Sequence, residues 1–265
     1  MTGYAAPALL RPLAVTVGVA VRTSLADRGG LAFTAGFYAA VTLALGALWR
    51  TAAGGAPVAG YTAAALTWYV ATSEAATISL NARLVDQVGE DVRTGAVAVE
   101  LLRPVSMLSI RVATELGRSL PRLVVCVVMG LLIAVTTAGG PPSWPALALA
   151  VPSLLLAILC NLVAMHAAGA IAFWIRDARS TWFLYQKFVF VIGGMLLPLE
   201  VLPAGLEAVG RATPFMAMAY APARLASGHA EPYLLGVQAF WLVVLAAGAI
   251  ALYGAGERRL QVVGG

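Results

Sequence analysis

Glu74 is the one acid set well inside a long apolar run of this chain. A charge at the centre of a bilayer costs about 2.5–3.5 kcal/mol on insertion scales, so an ionisable group there faces a protein interior or a wet cavity. A carboxylate in that setting could hold a cation or a proton. Thr67, Val70, Glu74, Thr77 and Asn81 recur on one helical face, with Tyr69 and Ser73 beside it, so the run carries a polar stripe. Two readings stay open. Thr67, Glu74 and Thr77 line a substrate path, or the stripe packs against neighbouring helices with its hydroxyls bonded back to backbone. Glu74 also lies near the end of its run, where it could reach water.

The second concentration of chemistry runs from Arg83 to Arg122 and holds eleven of the twenty-nine charged residues, closed in by apolar runs on both sides. Arg83, Asp86, Glu90, Asp91 and Arg93 are too charged to enter lipid, while Leu84, Val85 and Val92 give the same stretch an apolar side. On a helix Asp86, Glu90 and Arg93 share a face at i, i+4 and i+7. Such a helix lies against a membrane surface or another protein, and it is the largest piece able to meet an aqueous partner. Pro104 ends the first part of the insert. Arg103–Pro104 is either a docking or turn element or a solvated arginine before a helix stop.

Other chemistries lack their residues. No GxxxxGK[ST] loop is present, and the only lysine, Lys187, sits in FLYQKFVF, so a nucleotide phosphate has no cradle by that route. His166 and His229 are far apart and lack metal-ligand spacing with any acid or cysteine. There is no GxSxG elbow. We therefore expect no catalytic residues, no metal site and no cofactor in this chain. Cys126 and Cys160 fall in apolar runs as small core or lipid-facing side chains and say nothing of redox compartment. Asn161 and His166 read as interhelical hydrogen-bonding groups. Lys187 and Gln186 read as side chains reaching for the interface, and Gly193–Gly194 as a site of close helix packing.

The elements that must position these residues are apolar helices. The chain has 265 residues, 61% hydrophobic and 11% charged, with a mean hydropathy of +0.88. A soluble domain carries about 25% charged residues, so this is a polytopic all-α membrane protein. Residues 1–30 read as an amphipathic interfacial helix, with Leu9, Leu10, Leu13, Val17 and Ala20 at helical spacing. Six spans follow, at about 31–49, 59–80, 120–137, 146–175, 181–199 and 233–254, each near the length of a bilayer crossing. The charged insert occupies 81–122. Residues 200–232, broken by Pro203, Pro214 and Pro222, are too polar for a span and too apolar for a solvated loop, and fit short re-entrant helices on the outer face. No cleavable signal peptide is expected.

Orientation follows from the basic residues. With a cytoplasmic N-terminus, residues 1–30, the insert, residues 176–187 and the tail put fourteen Arg and Lys inside, against Arg50, Arg211 and Arg224 outside. Both termini are then cytoplasmic. Sixteen of the seventeen basic residues are arginine, a bias of GC-rich bacterial coding.

The interfacial helix, the six spans and the insert after the second span resemble the permease subunits of type-2 ABC exporters, in the bacterial branch that pairs with a separate ATPase. EDVRTGAVAVELLRPVS, from Glu90 to Ser106, looks like that branch's characteristic stretch, and GGMLLPLEVLP, from Gly193 to Pro203, like the outer end of its fifth span. The resemblance implies that Arg83 to Arg93, with Arg103, form a coupling segment docked on a nucleotide-binding subunit. It also implies that the second and fifth spans line a route faced by Thr67, Glu74 and Thr77. ATP and magnesium would belong to that partner ATPase, and a second permease half, identical or related, would complete the pathway. The family moves drugs, lipids and glycans, so the substrate stays open. Two rivals remain: an ion-coupled secondary transporter using Glu74, and an integral membrane enzyme of lipid or wall metabolism.

Overall fold

A computed structural model describes residues 6–97, 106–175 and 178–263. Arg103, the Arg103–Pro104 turn, Arg176 and Asp177 lie outside the described residues. Among those described the chain is all helix, without a β-strand: α1 Ala6–Ala26, α2 Arg28–Ala53, α3 Ala63–Ile78, α4 Leu84–Thr94, α5 Met107–Ala138, α6 Trp144–Ala170, α7 Ala178–Val191, α8 Ala204–Ala212, α9 Tyr220–Ala226 and α10 Tyr233–Val263. Short 3-10 turns at Ile171–Phe173, Leu199–Val201 and Pro214–Ala217 join some of them.

Local signals set the helix ends. Asp27 caps α2 by accepting from the Gly30 amide at 2.9 Å, and Gly54, at φ 53°, ends it in the left-handed region that glycine tolerates. Thr62 caps α3 by accepting from the Ala65 amide at 3.1 Å. Ser143 does the same for α6, with Pro145 in its first turn, where no amide partner is lost.

Among the described residues four helices are long and apolar enough to cross a membrane: Arg28–Ala53, Met107–Ala138, Trp144–Phe173 and Tyr233–Arg259. The expected second and fifth spans form shorter helices. α3 has 16 residues and α7 has 14, about 24 Å and 21 Å at a rise of 1.5 Å, against a hydrocarbon core of about 30 Å. α3 is bounded at its start by the Val58–Tyr61 turn, where Gly60 has φ 86°. α7 stops because Gly194, at φ 70°, turns the chain back. The segment beyond is then sewn to the bundle. Trp49 Nε1 donates to the Leu196 carbonyl at 3.2 Å, Ser73 Oγ to the Met195 carbonyl at 2.9 Å, and the Tyr69 hydroxyl to the Gly194 carbonyl.

Two elements run longer than expected. α5 is one 32-residue helix that takes in the last third of the charged insert and continues through Pro121. Its first half is held by α1 rather than by solvent. A Cβ on Gly117 would fall 2.5 Å from the Val17 carbonyl and 2.7 Å from Ala20 Cβ, so the two backbones approach closely, and Ser24 Oγ donates to the Arg118 carbonyl at 3.0 Å. α1 leaves Val15, Val19 and Leu25 exposed along its other side, as an interfacial helix does. α10 carries Glu257, Arg258 and Arg259 within its last turns instead of ending before them.

The helices alternate in direction, so the bundle has two ends. The start of α2, the end of α3, α4, the start of α5 and the end of α6 gather at one, called the α4 end. The opposite end carries α8 and α9. α3 is buried on nearly every side between α2, α5, α6 and α9, and α6 runs beside α10. A helix buried all round is the expected place for an apolar sequence with few polar groups, and Glu74 is the exception in it.

Candidate functional site

α2, α3 and α7 line an open-sided cavity of about 780 Å³, with Phe33 and Phe37 exposed at its mouth. Its walls are mostly apolar and aromatic, with Phe33 and Phe37 from α2 and Trp182, Tyr185 and Phe190 from α7; Met195 and Leu196 come from the stitched segment after α7. Glu74 and Thr77 of α3, Arg122 of α5 and Asn161 of α6 supply polar groups. Glu74 is only 2% exposed, and no described residue gives its carboxylate a hydrogen bond or an ion pair. The neighbouring hydroxyls are engaged elsewhere. Thr77 Oγ1 donates to the Ser73 carbonyl at 2.6 Å, and Tyr185 donates to Asn161 Oδ1 at 2.8 Å.

The structure therefore puts Glu74 and Thr77 on one cavity and leaves Thr67 away from it. Thr67 Oγ1 bonds back to the Ala63 carbonyl at 3.0 Å, and its methyl faces the place where a Gly46 side chain would be. Asn161 ties three elements together: Nδ2 donates to the Ala157 carbonyl at 3.0 Å and to the Met218 carbonyl at 3.2 Å, while Oδ1 accepts from Tyr185. His166 is buried with Nδ1 2.8 Å from the Leu162 carbonyl. Gln186 lines the cavity, whereas Lys187 lies outside it over the Phe183 and Phe190 rings, at 5.1 and 5.9 Å.

α4 is a short amphipathic helix pressed onto the end of the bundle. Leu84, Val85, Val88 and Gly89 are buried. Val88 fits against Gly169 of α6, where an added Cβ would come within 2.6 Å of its own. Arg83, Gln87, Glu90 and Arg93 form the exposed side. Glu90 pairs with Arg93 at 2.5 Å, and that hydrogen bond holds the Glu90 carboxyl below its usual value. Of the six predicted docking residues Arg103 lies outside the described residues, and the other five are not equivalent. Asp91 turns inward to Arg111 of α5 at 2.7 Å, on a guanidinium that is only 12% exposed, and Asp86 is half-buried with Oδ1 unpartnered. Gln87, absent from the sequence reading, takes the outward place one turn before Glu90 and holds Asn81 at 2.9 Å.

At the opposite end lies a polar cluster that sequence reasoning missed. Glu200 accepts from the Tyr220 hydroxyl at 2.5 Å, from the Tyr61 hydroxyl at 3.2 Å and from Arg211 at 2.8 Å. Arg224 reaches the same carboxylate at 3.5 Å, the Tyr61 hydroxyl at 2.6 Å and Glu231 at 2.9 Å. Burial alone would raise the Glu200 carboxyl; the Tyr220 hydroxyl and the two arginines outweigh it and hold the group below its ordinary value. These contacts fasten α8 and α9 to the turn that precedes α3.

A family model described as ABC-2 family transporter protein matches residues 37–264. The comparison with curated proteins finds no match. Among the described residues, four crossing-length helices, a cavity between α2, α3 and α7 and a charged helix docked on the bundle's end suit a permease, and the family associates in general with an ATPase subunit. Matched over residues 37–264, the chain belongs to the ABC-2 family of membrane transporters, as a permease.

Proposed function

We propose that this chain is one half of an ATP-driven exporter in a bacterial inner membrane, working with a separate ATPase that binds ATP and magnesium and with a second permease half, identical or related. In this reading six segments cross the bilayer with both termini cytoplasmic. α3 and α7 are the two short members, and their crossings are completed by the turns stitched at Tyr61 and at Gly194 to Leu196. The fourteen-to-three distribution of basic residues supports a cytoplasmic α4 end.

The observation that carries this reading is the seat of α4. Its apolar side rests on the ends of α6 and α7, and it follows directly from α3. α3 and α7 are two walls of the cavity. A subunit that gripped Arg83, Gln87, Glu90 and Arg93 would thus push on the helices that bound the route, with Asp91–Arg111 carrying part of the load to α5. Distances between elements in a packed bundle change in discrete steps rather than continuously, which suits such a lever. The route is assigned to the cavity with Glu74 and Thr77, and the substrate class is that of drugs, lipids or glycans.

Reconstitution tests it. The chain, its second half and an ATPase encoded beside it are placed in vesicles, and substrate movement is followed with ATP inside or outside. ATP-dependent efflux that stops when the ATPase is inactivated is the expected result. The unpartnered Glu74 in a cavity favours a second reading, an ion-coupled secondary transporter. Movement that persists without any ATPase and collapses with the proton gradient would establish that reading instead.

A further inference from the structure

We propose that the cavity between α2, α3 and α7 receives a cationic amphiphile, an apolar body bearing one positive group, and that Glu74 is its counter-ion. The inference rests on the reading of this cavity as the export route and names what passes through it.

A carboxylate that is 2% exposed and unpartnered costs several kcal/mol in an apolar setting, so a site that retains one has a use for its charge. No partner comes from the cavity's own hydroxyls, because Thr77 and Tyr185 give their protons to Ser73 and Asn161. The remaining wall is suited to a soft cation. Phe33 and Phe37 stack on α2 with centroids 6.1 Å apart, and Trp182 and Tyr185 stack on α7 at 5.9 Å, so two aromatic pairs line the cavity. Aromatic faces attract ammonium and phosphonium groups, and the gain grows when the site is dry.

Arg122 is the cavity's other charge. Gly130 of α5 abuts Tyr38 and Ala71, so by helix rise Arg122 lies about 12 Å from that level toward the α4 end and Glu74 about 5 Å. The positive group therefore seats above Arg122, with the apolar body among Val41, Leu45, Met195 and Leu196. A substituent left at the Arg122 level is neutral or anionic.

Equilibrium binding of radiolabelled tetraphenylphosphonium to the full chain in nanodiscs tests the assignment, with triphenylphosphine oxide as the neutral analogue of similar shape. Saturable cation binding is expected, weakened tenfold or more by Glu74→Gln and no more than threefold by Glu74→Asp, with the oxide binding weakly to all three. Trp182→Leu, on the facing wall, gives a second handle if Glu74→Gln is poorly folded, and should weaken cation binding severalfold. Equal affinity of the wild type and Glu74→Gln, or of Trp182→Leu where that variant is the one used, overturns the proposal. So does an oxide bound as tightly as the cation. If Glu74→Gln splits an oligomer while cation binding stays unchanged, the carboxylate serves a subunit contact and the proposal is also overturned. The exporter reading is scored separately by ATP-dependent efflux: Glu74-dependent cation binding without it defeats that reading alone, and efflux without cation binding defeats this one alone.

Discussion

Val88 of α4 and Gly169 of α6 meet so closely that a methyl group on the glycine would fall 2.6 Å from the valine Cβ. The contact is where the charged insert is seated on the membrane bundle, since Leu84 and Val85 bury against the same helix pair.

Gly169→Ala should therefore lift α4. Overpacking a tight contact costs about 1–3 kcal/mol, and removing bulk from the partner should recover much of it. Thermal unfolding of the solubilised chain is expected to show Gly169→Ala destabilised and Gly169→Ala with Val88→Gly, which removes the opposing Cβ, less destabilised than the sum of the two singles. A double mutant as unstable as the sum of its singles would place the strain elsewhere.

Sidedness is checked by labelling. Cysteines at Ala52 and Gly140, both exposed at the α8–α9 end, should react with impermeant thiol reagents added to intact cells. A cysteine at exposed Ser106 should react only after permeabilisation. External labelling at Ser106 would invert the proposed orientation.

Glu200 sets a pH dependence. Its carboxyl is held below the ordinary 4.5 of a glutamate, so the folded state binds the proton less well than the unfolded chain. The stabilisation is complete above that value and drains away as pH falls through the depressed folded value. Melting temperature should drop on acidification below about pH 4.5 in the wild type and much less in Glu200→Gln. At neutral pH that substitution leaves Arg211 and Arg224 with one carboxylate each, Glu207 and Glu231. Both guanidiniums keep some contact with water, so the cost should be about 1–3 kcal/mol rather than that of a fully buried pair. Parallel melting curves for the two proteins across the acid range would refute the assignment.

That cluster also marks the limit of reading the chain as a string. The apolar periods of α2, α5, α6 and α10, the amphipathic α4 and the isolated acid in α3 are local patterns, so each was visible. Tyr61 and Arg224 are 163 positions apart and Tyr61 and Glu200 are 139, and each alone looks like a solvated loop residue. Nothing local tells a buried arginine beside a tyrosine from one in water. The six arginines of the insert set it apart from the third span, yet α1 covers that surface and one helix runs from Met107 through Pro121. Gly193–Gly194 read as packing residues, and a Cβ on Gly194 would indeed fall 3.0 Å from Tyr220 Cβ and from the Tyr69 hydroxyl, but its positive φ also turns the chain and shortens α7. Thr67 shares a helical face with Glu74 but not the cavity, because α2 closes over it at Gly46.

The charged side of α4 gives the last prediction, and the structure divides it in two. Glu90 is exposed and bonded only to Arg93 and, through its backbone, to Thr94, so reversing it disturbs no buried group. Glu90→Arg should leave expression and melting nearly unchanged, within about 0.5 kcal/mol. A docked ATPase would meet a reversed charge at an interface, where like-charge contacts cost several kcal/mol, so co-purification and coupled ATP hydrolysis should fall sharply. Asp91→Arg is different in kind. It removes the carboxylate from the nearly buried Arg111 and sets a second cation beside it, so it should lower stability as well as docking. Pull-down of the ATPase and melting, measured on both single variants and on the double, separate the effects. If the double reversal still binds the ATPase at wild-type level and still drives transport, the insert's charges serve only to hold it out of the membrane, and the lever has to be sought elsewhere on the α4 end.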